Sequence, residues 1–156
     1  AKQTPFRLTV IGVAPDLADR PWIRRMAPGN SGQYPRYATW LRDLAPLFDV
    51  GIAPLIDNPF NQLKSDVKIL EYLALGLVPI ASSVGPYERG SALVTGGLCA
   101  DTEHWGERLS NLAGNTDALA EARQQAWRAR ELVWTARNAR STGATLAARL
   151  LGLAGQ

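Results

Sequence analysis

The chain has 156 residues, with 17 Lys or Arg against 14 Asp or Glu, one cysteine and one histidine. That length supports one domain with a real core rather than two. A lone Cys99 and a lone His104 exclude an internal disulfide and any Cys-rich or His-rich metal site, and no apolar run reaches the roughly 18 to 20 residues of a membrane span.

A single cysteine fits a reducing compartment. The opening residues AKQTPFRLTV have no signal-peptide pattern and no initiating Met. A piece excised from a longer protein is the expectation, although Met removal before Ala1 would leave the same start. The net charge of +3 is mild. Its excess lies in the last third, where Arg123, Arg128, Arg130, Arg137, Arg140 and Arg149 face few acids. No nucleic-acid-binding module is recognisable, so nucleic acid is not an expected partner. Mild basicity suits an anionic small ligand or an anionic membrane surface.

In chain order, Phe6 to Val13 (FRLTVIGV) has a buried-strand pattern that stops near Gly12. Pro15 and Pro21 punctuate the loop that follows, Trp22 to Met26 reads as a short strand, and Pro28 to Gly32 as a loop. Tyr34 to Leu47 predicts a helix, with Pro35 in its first turn and Tyr37, Leu41 and Leu44 on one face. Val50 to Leu55 is an apolar strand, and Ile56 to Lys64 a loop.

Asp66 to Leu75 predicts a helix with Val67, Leu70 and Ala74 as its apolar stripe. Ser65 or Asp66 is its expected cap, and Gly76 with Pro79 its stop. Val78 to Ser82 is a buried strand, Gly85-Pro86-Tyr87 a turn, and Ala92 to Ala100 one or two short strands. Helices then run from Thr102 to Ala113, from Thr116 to about Arg140, and from Thr142 to Leu153. Ala122, Ala126, Ala129, Val133 and Ala136 form a small-residue packing stripe. The fold class is therefore α/β: a Rossmann-like three-layer domain, mostly parallel, of about five strands, with a helical C-terminal segment over residues 115–156. Ligands of such sheets sit beyond the carboxyl ends of the strands. The loops at Gly12, Ile56 to Lys64 and Ser82 to Tyr87 all follow strands.

Charged and polar residues gather where a loop becomes a helix: Lys64, Ser65, Asp66, Lys68 and Glu71. The backbone N–H groups of Ser65, Asp66 and Val67 would face an anion at a positive helix end, with Lys64 and Lys68 adding charge. Together they suit a diphosphate. Glu71, about one turn deeper, suits ribose hydroxyls, which donate to a carboxylate in pairs. The same residues also fit a surface helix with a Lys68–Glu71 ion pair worth a few tenths of a kcal/mol. Periodicity leaves both readings open. Ser65 to Lys68 has the S-x-x-K spacing of penicillin-recognising enzymes, but the companion motifs are missing.

This block resembles the donor-binding half of GT-B fold glycosyltransferases of group 1 (family 4), which transfer sugars from nucleotide-sugars. The matching pieces are FDVGIAPL, KILEYLALGLVPIAS and VGPY, with FRLTVIG upstream. The bacterial subgroup with an FN..KS..K..EY pattern is the nearest in kind, matched at Phe60, Asn61, Lys64, Ser65, Lys68, Glu71 and Tyr72. The resemblance implies that Glu71 binds ribose and that the amides of Ser65, Asp66 and Val67 meet the donor diphosphate. Gly12, at a strand end, would line the same cleft, and Tyr87 either lines the donor pocket or covers the sheet end as a turn aromatic. Where many members carry a second glutamate this chain has Leu63, and Asp57 or Asn61 is the candidate substitute.

The implied substrate is a nucleotide-diphosphate sugar, with no cofactor and no metal. The implied partners are an N-terminal acceptor-binding domain outside this chain and, through lipid-linked acceptors, a peripheral membrane contact. The implied location is cytoplasmic, at the inner face of the membrane, and the product a cell-surface polysaccharide. No catalytic residue is assigned, and the isolated chain is expected to be inactive. Two other classes stay open: a non-catalytic binding or interaction module on the same fold, and a domain of a sugar-nucleotide epimerase. Trp127 and Trp134, seven apart, read first as helix packing and second as a partner surface. Arg123, Arg130 and Arg137 read first as a solvated face and second, given the lipid-linked acceptors the resemblance implies, as an anionic membrane contact. His104 and Cys99 read as structural.

Overall fold

The computed structural model describes residues 6–12, 17–28 and 33–150, the last fifteen of these as backbone. Most of the expected loops around Pro15 and at Pro28 to Gly32 lie outside the described residues, as do Val13 and the chain beyond Leu150. The elements run β1 (Leu8–Ile11), β2 (Ile23–Met26), α1 (Tyr34–Leu44), β3 (Val50–Ala53), α2 (Pro59–Gln62) and α3 (Val67–Ala74). They continue with β4 (Val78–Ser82), α4 (Gly85–Arg89), β5 (Gly97–Cys99), α5 (Thr102–Gly114) and α6 (Thr116–Leu150). Short 3-10 turns cover Ala45–Leu47 and Ser91–Leu93.

The fold is α/β and every strand pairing is parallel. The five strands form two ladders rather than one sheet, β1-β2 and β3-β4-β5. The β1-β2 ladder is the less covered of the two. The two middle positions of β2 are the exposed Arg24 and Arg25, which a strand covered on both faces does not carry. β4 is the reverse case: all five of its residues are buried and it pairs on both sides.

Alternation along β4 divides the interior into two cores. Ala81 joins Ala53, Ile69, Leu73 and Tyr87 on one face. Val78 and Ile80 join Cys99 and Leu112 of α5 on the other. The alanine stripe of α6 serves both: Ala122 packs in the second core, Ala126 and Ala129 in the first. α6 is one continuous helix, so the expected break between Arg140 and Thr142 is absent. Gly143 costs a helix interior only about 1 kcal/mol.

α3 is fixed to the sheet from both ends. The Tyr72 ring lies on Gly51, where any Cβ would sit 2.3 Å from it, and the Tyr72 hydroxyl donates to the Ile52 carbonyl at 2.7 Å. At the far end Gly76 takes φ +78°. The Leu77 N–H then reaches the Tyr72 carbonyl, and the Gly76 N–H the Leu73 carbonyl, the paired closure that a left-handed glycine permits. The buried stripe differs from the expected one. Ile69 and Leu73 face inward, whereas Val67 and Ala74 are exposed. Nearly every α3 position is apolar, so spacing alone admits more than one stripe.

Candidate functional site

The segment after β3 is held to the end of β4. The Leu55 N–H donates to the Ser82 hydroxyl at 2.8 Å. Beyond it, the expected loop contains α2, a four-residue helix. Asn58 caps it by accepting from the Asn61 N–H at 2.8 Å, and Pro59 fits the first turn, where no N–H is needed. The Asn61 side chain turns inward, 8% exposed, and donates to the Ile56 carbonyl at 2.8 Å. Asp57 accepts from the Gln62 amide at 2.6 Å. Both candidate substitutes for the acid at Leu63 therefore hold the loop together.

This ordered segment delivers Lys64, Ser65 and Asp66 to one wall of a cleft of about 190 Å³. The facing wall is Pro86, Arg89 and Gly90. Those residues follow β4, so the cleft lies beyond the carboxyl ends of two adjacent parallel strands. The Gly85-Pro86-Tyr87 turn is thus the start of a short helix, α4, closed at Arg89. The Arg89 guanidinium donates to the Gln62 carbonyl at 3.3 Å, which spans the two walls. Lys64 sits 5.1 Å from the Phe60 ring centroid.

α3 begins without a side-chain cap, so the expected capping by Ser65 or Asp66 does not occur. Asp66 has φ −82° and ψ 16°, away from the extended geometry that lets a cap side chain reach back. Among the described residues, the N–H groups of Ser65, Asp66 and Val67 donate to no protein acceptor. Three open donors at a positive helix end, beside Lys64 and Arg89, make an anion-attracting corner. The Asp66 carboxylate, close against Gly90, moderates that charge.

One turn further in, the Lys68 ammonium donates to Glu71 Oε2 at 2.7 Å, and the Tyr34 hydroxyl donates to Glu71 Oε1 at 3.2 Å. Partial burial alone would lower the Lys68 pKa, but the hydrogen bond and charge of Glu71 more than offset it and the pKa rises. The Tyr34 phenol is raised, first by the Glu71 charge and then by the hydrogen bond. A ligand diol at Glu71 would exchange places with one of these two donors.

The expected site residues thus divide. Lys64, Ser65 and Asp66 share the cleft, Lys68 and Glu71 form a pair one turn on, and Val67 opens α3 at the surface. Tyr87 is buried in the first core, and burial raises its phenol pKa. Gly12 closes β1 in the separate ladder, with φ +103° and its N–H on the Met26 carbonyl at 3.1 Å. Arg89, Gln62 and Tyr34 were not foreseen. For Arg89 the available signal was a cation one turn after Gly85-Pro86; for Tyr34 the sequence holds none, because its contact spans 37 positions.

A second hollow of about 350 Å³ lies between α6 and residues 91–95. It has one cation, Arg128, and no α-helix start, so the smaller cleft is the better anion site. His104 pairs with Asp101, the cap of α5, and Cys99 is buried. Among the described residues no group of three or more His, Cys, Asp or Glu is placed to hold a metal ion. Comparison with known proteins gives no match to a family model, a curated protein or a solved structure.

Proposed function

We propose that the chain binds a nucleotide-diphosphate sugar as the donor-binding domain of a glycosyltransferase. The observation that carries this reading is the cleft beyond β3 and β4. Ser65 and Asp66, two of the three residues with open amides at the start of α3, line it with Lys64 and Arg89. A volume of about 190 Å³ is below the ~300 Å³ at which drug-sized pockets begin. It suits the diphosphate alone. Ribose falls to Glu71, and the sugar and base lie along the rim. The open amides and the two cations would stabilise the charge that develops on the departing diphosphate. The acceptor, a growing surface polysaccharide or a lipid-linked sugar, would come from a second domain, and a hexose is the transferred group.

Leu63 favours a second reading. It is 87% exposed and offers no polar atom to a donor sugar where an acid is usual. A binding module that has lost transfer chemistry would look the same in this region. Titration of the folded chain with UDP, GDP and their sugars tests the first reading. Saturable binding is expected, weakened by about 1 to 3 kcal/mol in Glu71→Ala as a charged hydrogen-bond acceptor is lost. No binding of any nucleotide would contradict it. Equal affinity for the nucleoside diphosphate and its sugar would favour the second reading.

A further inference from the structure

Among the described residues four aromatic side chains are exposed: Tyr34, Phe60, Trp127 and Trp134. The expected helix-packing role of Trp127 and Trp134 is overturned, because Ala122, Ala126 and Ala129 take the inward face of α6. Of the four, only Tyr34 hydrogen-bonds a residue of the proposed donor site, and that residue is Glu71.

Glu71 is held from two sides. The Lys68 ammonium donates to Oε2 at 2.7 Å, and the Tyr34 hydroxyl to Oε1 at 3.2 Å. The Glu71 side chain is 22% exposed and carries a donor on each oxygen, so an incoming diol reaches it by displacing one of them.

The two donors are unequal. Lys68 lies three residues before Glu71 on the same helix, and its bond joins opposite charges at short range, the strong class of hydrogen bond. Tyr34 is neutral and comes from the first residue of α1. Its 3.2 Å bond is long beside the ~2.5 to 2.7 Å usual for a hydroxyl on a carboxylate. Its ring is also loosely held. Tyr34 is 65% exposed, and the Tyr37 ring stands 6.5 Å away, tilted by 41°, near the limit of about 7 Å for an aromatic pair.

We propose, on the basis of the donor-site reading above, that Tyr34 sets how strongly the site prefers a ribose. Its hydroxyl competes with a ribose hydroxyl for Glu71 Oε1, and it is the donor that yields while Lys68 stays on Oε2. A ligand with 2′ and 3′ hydroxyls gains Glu71 and releases Tyr34. A ligand without them leaves the Tyr34 bond in place. Tyr34 thereby lowers the affinity for ribonucleotides alone and narrows their advantage over deoxy forms.

Titration of the parental chain and of Tyr34→Phe with UDP and GDP, and with their 2′,3′-dideoxy counterparts, tests this. Tyr34→Phe removes the competing hydroxyl and keeps the exposed ring. It should bind the ribonucleotide about two- to five-fold more tightly, the net worth of one weak hydrogen bond, and the dideoxy form no differently. The Tyr34 ring resonances, identified by their loss in Tyr34→Phe, should shift with the ribonucleotide and stay with the dideoxy form. A ribonucleotide that binds Tyr34→Phe no more tightly than the parental chain would overturn the proposal and leave the donor-site reading standing. So would an equal gain for the dideoxy form, which would assign the effect to the ring rather than to Glu71. No binding of UDP or GDP to the parental chain would overturn the donor-site reading, and the proposal with it.

Discussion

Glycine has opposite meanings at Gly51 and Gly106. At Gly51 an added methyl would lie 2.3 Å from the Tyr72 ring, inside the contact that holds α3 over β3. At Gly106, in the middle of α5, nothing lies within 4 Å. Gly51→Ala should therefore destabilise the protein by about 1 to 3 kcal/mol through overpacking. Gly106→Ala should stabilise it by about 0.5 to 1 kcal/mol through lower chain entropy. Urea unfolding of the two variants checks both signs at once. Neither assignment was legible in the sequence, where the two glycines differ only in their neighbours. Glu71 was legible as a carboxylate near a helix start. Its hold by Tyr34 was not, because a hydrogen bond across the fold leaves no local spacing to read.

At the scale of elements, the punctuation that sequence carries best is the helix stop. Gly76 was expected to end α3, and its φ of +78° does so. Gly76→Ala places a Cβ in the left-handed region and should cost about 1 to 2 kcal/mol, seen as a lower thermal midpoint. The short helices α2 and α4 were not foreseen, since four and five residues are too few to show a helical period. The Asn58-Pro59 pair was the usable signal for α2. Its side-chain cap is directly testable: Asn58→Ala should lose about 0.5 to 2 kcal/mol, read by urea unfolding, and should loosen the loop that carries Lys64. Strand β4 was legible in full because it is apolar up to Ser82 and bounded by Gly76 and Gly85.

Over the whole molecule, alternation of strands and helices made the α/β class and the parallel pairing legible. The division into two ladders was not, because strand pairing is a contact between distant segments that local pattern does not record. The folded state also holds several protons more tightly than the unfolded chain. Burial raises the Tyr72 and Tyr87 phenols. The Glu71 carboxylate raises Tyr34 by its charge, and its hydrogen bond and charge raise Lys68 against burial. Each of these groups is protonated in both states at neutral pH. As pH rises past about 10, the unfolded chain releases those protons first. Stability should therefore be full below about pH 10 and fall through the raised folded values. Asp101 has the opposite sign: the His104 backbone N–H and then its side chain lower its pKa, so its contribution is lost as acid titrates it. Thermal midpoints measured from about pH 2 to about pH 12 check both limbs.

The central claim is that an anionic nucleotide meets the open amides at the start of α3. Amide NMR titration with UDP and GDP tests it most directly. The account predicts saturable shifts at Ser65, Asp66 and Val67, smaller with the monophosphates and weakened in Glu71→Ala. A folded chain whose Ser65, Asp66 and Val67 amides do not move, or whose shifts cluster around residues 91–95, would contradict it.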